Sequence, residues 1–194
     1  LWDVTDRTHP QPLGPLPDHH TDWVNSVAFS ADGRTLASSS LDNTVRLWNL
    51  SDRSKPRPLG QPLSGHTGGA NSAVFSPDGR TLATSARDTR IRLWDVTDRE
   101  KPQLLDPPLV GHKNTVGPLA FSTNGRILAS GSYDNTALLW DLTDRSNPRR
   151  LTPPLTGHTD WIWSIAFSPD DRTLATGSKD NKIQLWALSG SENQ

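Results

Sequence analysis

Residues 24–48 read "VNSVAFSADGRTLASSSLDNTVRLW", three short apolar or β-branched runs separated by polar turns. The runs Val24–Phe29, Thr35–Ser40 and Thr44–Trp48 have five or six residues each, a strand's length and too short for a helix. Asp32-Gly33 between the first two is a tight-turn signal. Asp42 and Asn43, between the second and third, can bond their own backbone or take positive φ. A poorer fourth run, Arg57–Leu63, follows the "SDR" turn and contains Pro58 and Pro62. Proline has no N–H to give to a ladder and is tolerated only at a sheet edge. The pattern predicts a four-stranded antiparallel sheet with its fourth strand outermost.

The same pattern recurs. Leu-Trp stands at 1–2, 47–48, 93–94, 139–140 and 185–186, always 46 residues apart. "ANSAVFSPDGRTLATSARDTRIRLWDV", "VGPLAFSTNGRILASGSYDNTALLWDL" and "IWSIAFSPDDRTLATGSKDNKIQLWAL" answer the first unit along their whole length. A period of this size means a stacked or radial architecture. The expected fold is all-β, with four units over residues 1–188 and a polar C-terminal tail at 189–194.

Composition changes the picture mainly by exclusion. The net charge is −1, with 20 basic against 21 acidic residues, which gives no electrostatic footprint for nucleic acid or anionic lipid. There is no cysteine, so disulfides and thiolate metal sites are excluded. No apolar run approaches membrane-spanning length and no signal peptide is recognisable, so a cytoplasmic location without membrane or nucleic-acid partners is expected.

Gly-His at 65–66, 111–112 and 157–158, an Asp about twenty residues later, and Leu-Trp-Asp at 93–95 resemble the WD-repeat β-propeller family. The resemblance covers residues 1–188 and implies four propeller blades of four antiparallel strands. The near-identity of the copies is similar to recently amplified repeats of bacterial signalling proteins, and the lack of Met and Cys also suits an engineered sequence.

Four polar residues recur in each unit: His20, Ser38, Asp42 and Trp48; His66, Thr84, Asp88 and Trp94; His112, Ser130, Asp134 and Trp140; His158, Thr176, Asp180 and Trp186. A chain from Trp N–H to hydroxyl, hydroxyl to His, and His N–H to Asp satisfies every group in turn. WD-repeat blades are similar in having this tetrad, so a structural role is expected. A Ser-His-Asp set also invites a hydrolase reading. That reading needs an exposed hydroxyl beside an oxyanion hole, whereas these hydroxyls fall mid-strand with Trp as neighbour. No phosphate loop, metalloprotease pattern or thiol nucleophile is present, so no enzyme, metal or cofactor is expected.

Function is better sought where the units diverge. By the resemblance, one end of the ring carries Trp23, Gly69, Thr115 and Trp161; Asn25, Asn71, Gly117 and Trp163; and Leu41, Arg87, Tyr133 and Lys179. Trp, Tyr and Arg are typical interface anchors. The expected partner site is therefore Trp23, Asn25, Leu41, Asn71, Arg87, Tyr133, Trp161, Trp163 and Lys179, taking a peptide or protein. The plain alternative for Trp23 and Trp161 is packing between blades. The alternative for the whole chain is a structural, self-assembling repeat module with no ligand.

Three local departures stand out. His19 replaces the loop Gly, Asp171 replaces a turn Gly and must take positive φ or another turn, and Pro118 deletes a donor in the third unit. The chain also opens on an outer strand, about Gln11–Leu16, and closes on three inner strands, Ile162–Trp186. Four wide blades would leave gaps that a packed core does not tolerate. The expectation is a homodimer closing one eight-bladed ring, with residues 1–16 of one copy and 158–188 of the other sharing a blade. Trp2 and Trp186 then compete for one slot, and residues 1–3 are expected to be displaced.

Overall fold

A computed structural model describes residues 1–17 and 19–188; the tail expected at 189–194 lies outside the described residues. Those residues form strands and turns, with no helix among them. The chain begins with a small hairpin of β1 (Trp2–Asp3) and β2 (Gln11–Pro12). The first full unit is β3 (Val24–Phe29), β4 (Thr35–Ser40), β5 (Val45–Asn49) and β6 (Arg57–Leu63), antiparallel and paired in that order. The second is β7 (Ala70–Phe75), β8 (Thr81–Ala86), β9 (Arg90–Asp95) and β10 (Gln103–Val110). The third is β11 (Val116–Phe121), β12 (Ile127–Ser132), β13 (Ala137–Asp141) and the two-residue β14 (Arg149–Arg150). The fourth is β15 (Ile162–Phe167), β16 (Thr173–Ser178) and β17 (Ile183–Ala187).

The expected four-by-four plan needs correction here. Three sheets have four strands, and the last has three because no outer strand follows β17 among the described residues. The N-terminal outer strand β2 pairs within its own chain with β1, Trp2 opposite Pro12 and Asp3 opposite Gln11. In the single chain, residues 1–3 are thus not displaced. Leu13 N–H donates to the Leu1 carbonyl at 2.8 Å and extends this pairing.

The turns follow their residues. Gly33, Gly79 and Gly125 all take positive φ, and Asp171 takes the same conformation at φ 56°. At the second turn Asn43, Asn135 and Asn181 lie at φ 66–71°. Thr89 occupies that place in the second unit at φ 67°, an outlying conformation for a β-branched residue. Each inner strand carries a bulge near its start. In the third unit the bulge spans Val116 to Leu119, so Pro118 loses the pairing that Ser26, Ser72 and Ser164 keep.

Sheets face one another through repeating clusters. Ala37, Val45 and Leu47 of the first unit meet Ala73, Leu82 and Trp94 of the second. Ala83, Ile91 and Leu93 meet Leu119, Leu128 and Trp140 in the same way, and Ala129, Ala137 and Leu139 meet Ile165, Leu174 and Trp186. Burying one such leucine contributes about 1.5–3 kcal/mol. Ion pairs tie the same junctions: Arg99 Nη1 reaches Asp32 Oδ2 at 3.2 Å, and Arg145 Nη2 reaches Asp78 Oδ2 at 2.7 Å. The row of sheets is open. Val24, Val27 and Phe29 are exposed at its start, and Ile183 and Leu185 at its finish.

Candidate interaction face

The recurring polar residues meet inside each sheet. Trp48 Nε1 donates to Ser38 Oγ at 3.0 Å, Ser38 donates to His20 Nε2 at 2.7 Å, and His20 Nδ1 donates to Asp42 at 2.8 Å. The third unit repeats this at 2.9, 2.8 and 3.0 Å through Trp140, Ser130, His112 and Asp134. In the fourth, Trp186, Thr176, His158 and Asp180 lie at 3.0, 2.8 and 2.8 Å. Each carboxylate also accepts the backbone N–H just after its histidine, from Thr21, Thr67, Lys113 and Thr159. The chain thus fastens the entry loop to the turn between the second and third strands.

The second unit differs. Trp94 and His66 both meet Thr84 Oγ1, at 3.0 and 2.9 Å, while His66 Nδ1 stands 3.1 Å from Asp88. Arg92 intrudes, its Nη1 lying 2.9 Å from both His66 Nδ1 and Asp88 Oδ2. Sequence reading missed Arg92, which is buried. Its signal was present: a charged residue in an alternating strand, where the third unit has Leu138.

Burial acts to raise the turn carboxyls, but hydrogen bonds outweigh it. Asp42 accepts from the Thr44 hydroxyl, His20 and two backbone amides and is held at about 2. Asp180 is held at about 2, with burial again opposed by the Thr159 amide and His158, and Asp134 is held well below the usual carboxylate range. Burial lowers the His66 pKa; the Asp88 charge opposes this and the Arg92 charge adds to it. The hydroxyls Ser38, Thr84, Ser130 and Thr176 are all buried, with Trp and His as partners. None is placed to attack a substrate. Among the described residues no group of three or more His, Asp or Glu side chains is arranged to hold a metal.

The divergent positions are arranged differently. Tyr133 stacks on Trp161 of the next unit, ring centroids 4.3 Å apart and planes within 2°. Trp163 tilts against both, at 5.3 Å from Tyr133 and 5.9 Å from Trp161. Lys179 Nζ lies 4.3 Å from the Trp161 ring centre and 3.6 Å from Asp160 Oδ2. Burial raises the Tyr133 pKa, and the charge of the exposed Arg87 partly opposes this. Trp163 is 54% exposed and forms the aromatic wall of a hollow of about 290 Å³. Tyr133, Pro118, Gly117, Asn25, Asn71, Ser26 and Ser72 line the rest.

Of the remaining positions, Asn25, Asn71 and Gly117 share the hollow with this group, whereas Trp23 does not. Asn25 Nδ2 donates to the Ala70 carbonyl and Asn71 Nδ2 to the Val116 carbonyl, each at 2.9 Å, so both tie one inner strand to the next. Gly117 has no such arm. Leu41 packs over Gly69, where a Cβ would come within 2.5 Å of Leu41 Cδ2. Thr115 accepts the Tyr133 N–H through its carbonyl at 3.0 Å. Trp23 stands at the far end of the row, 77% exposed and away from the aromatic group. The equivalent positions 23 and 161 thus differ: Trp161 packs between units and Trp23 does not.

This geometry is that of repeated sheets fastened by a shared polar chain. The family model "WD domain, G-beta repeat" matches residues 10–49, 57–95, 106–141 and 149–187. The chain belongs to the WD-repeat family. WD-repeat proteins are generally protein-interaction scaffolds and typically not enzymes. In WD-repeat terms, the described sheets are three complete blades, one blade lacking its outer strand, and the outer half of another. No helix among the described residues is long and apolar enough to cross a membrane.

Proposed function

We propose that the chain is a non-catalytic binding scaffold that takes a peptide or protein segment on the Tyr133–Trp161–Trp163 face. The observation that carries this reading is the aromatic group itself. Three large rings from two blades are held together where the blades differ from one another, with Trp163 open to solvent, Lys179 over Trp161 and the charge of Arg87 acting on Tyr133. Rigid aromatics with neighbouring cations are what interface hot spots are made of. Asn25, Leu41 and Asn71 shape the blade edges nearby, and the tetrads serve to hold the frame. Selection from a phage-displayed peptide library against the whole chain tests it. Enriched peptides should bind wild type and lose at least tenfold in affinity to a Tyr133→Ala/Trp163→Ala variant that melts normally. Peptides that bind this variant as tightly as wild type would refute the assignment.

A second reading, self-association into an eight-bladed ring, is favoured by a separate observation. Leu185 is 71% exposed, whereas its equivalents Leu47, Leu93 and Leu139 are all buried in blade junctions. The described residues then present an uncovered trailing face and a leading face covered only in part by Leu1 and Leu16, and in this reading a second copy supplies the missing halves of both. Under this reading a cytoplasmic homodimer closes with residues 1–16 of one copy beside 158–188 of the other. Sedimentation velocity should give twice the chain mass at micromolar concentration. A monomer throughout would overturn it.

A further inference from the structure

The internal junctions repeat closely enough to specify what the two open ends would contact. Each junction joins a trailing face to the leading face of the next blade. Each junction cluster holds, 28 positions apart, one residue of each face: Val45 and Ala73, Ile91 and Leu119, Ala137 and Ile165. The uncovered residues at the same two positions are Ile183 and Val27. Together they are larger than Val45 with Ala73 and smaller than Ile91 with Leu119, so they fit the space that such a junction provides.

Two further contacts recur with fixed spacing. The residue before the turn aspartate reaches the following blade 28 positions on, as Leu41 does over Gly69 and Tyr133 over Trp161. Continued past the last blade, this places Lys179 over Trp23. An arginine also reaches back 67 positions to an aspartate of the preceding blade, as Arg99 does to Asp32 and Arg145 to Asp78. Continued before the first blade, this pairs Arg53 with Asp170. One junction thus acquires an apolar pair and an ion pair from residues exposed on the single chain, and Lys179 turns from Trp161 and Asp160 of its own blade to Trp23.

The slot is partly filled already. Leu1 packs against Leu36, Trp48 and Leu50 on the leading face, and Leu1-Trp2 repeats Leu185-Trp186 in sequence. This occupant is weak. β1 is two residues long and Trp2 is largely exposed, whereas Trp186 donates to Thr176 at 3.0 Å and belongs to a whole sheet.

We propose that a second copy of this chain docks head to tail, its β17 replacing β1 beside β2, with the partner's Lys179 over Trp23 and the partner's Asp170 paired with Arg53. This deepens the self-association reading and rests on it. Two such junctions close the pair. β1 is then a placeholder that covers the leading face until the partner arrives.

Mixing charge variants tests the proposal. Arg53→Asp places two carboxylates at both junctions, and Asp170→Arg places two guanidiniums there. Each variant alone should dimerise about tenfold more weakly than wild type, as two exposed pairs turned repulsive imply. An equimolar mixture should recover wild-type affinity, because both junctions of the mixed dimer are again complementary. Deleting residues 1–3 should tighten the dimer several-fold by removing the competitor. A wild-type dimer whose affinity ignores the charge changes, or a mixture no tighter than its components, would overturn this arrangement while leaving self-association standing. A wild type that stays monomeric would overturn both.

Discussion

Leu47 and Leu185 occupy one repeat position in one kind of strand, yet the first is 2% exposed and the second 71%. The strand cannot account for the difference, because each lies opposite an alanine, Ala37 or Ala175, in the same register. What differs is the neighbour. Leu47 pairs with Leu59 of the outer strand β6 and faces the second blade across a packed junction, whereas Leu185 has neither an outer strand nor a following blade among the described residues. A propeller blade therefore has a self-contained polar frame and a core that exists only between blades. The tetrad closes within each sheet, but the apolar faces depend on the next sheet.

Substitutions can pull this contrast apart, and the largest effect is expected inside a junction. Leu93→Ala should cost about 2–5 kcal/mol by leaving a cavity between the second and third blades. Leu185→Ala should change the unfolding free energy of the dilute chain by no more than about 0.5 kcal/mol. Chemical denaturation of the two variants side by side measures the difference. Equal losses would mean that the two leucines share one environment.

The polar frame should yield less. His66→Ala removes the buried link between Thr84 and Asp88 and costs each one hydrogen-bond partner, so it should cost about 1–3 kcal/mol, read as a lowered melting temperature. An unchanged melting temperature would contradict the structural role. The same frame sets the response to acid. Asp42 and Asp180 have folded-state pKa values near 2, below those of the unfolded chain, so their contribution is full at neutral pH and is lost as pH falls from about 5 towards 2. The pKa of His66 is also lowered, so protonation of the unfolded chain begins to destabilise the fold as soon as pH drops below about 6.5. Arg92→Leu removes one of the two influences that lower it. NMR titration should then show the His66 pKa moving up, and an unmoved His66 pKa would contradict the role given to Arg92.

The smallest expected effect is a gain. Thr89→Asn puts the residue used by the other three units at this positive-φ turn and should add about 0.5–1 kcal/mol in thermal or chemical denaturation. No gain would mean that the turn tolerates threonine without strain.

Much of this was legible in the chain because the period is strict. The bounds of β3, β4 and β6 follow from the first unit alone, and the tetrads follow from spacing. The positive φ of Asp171 and the lost pairing at Pro118 follow from the same alignment. What the sequence did not disclose depends on neighbours. Nothing local separates Trp23 from Trp161, since one faces solvent and the other a tyrosine from the previous blade. Arg92 joins His66 and Asp88 only because its strand folds beside them. The pairing of β2 with β1 was hidden because the equivalent segments inside the row belong to complete sheets.

Hydrogen exchange across a concentration series tests the central claim most directly, that the two ends are halves of one junction. The segments of β5, β9 and β13 should be protected at every concentration. Those of β17 and β3 should exchange quickly in dilute solution and gain protection together as concentration rises through the micromolar range. Constant exchange of β17 and β3, or protection of one without the other, would contradict it.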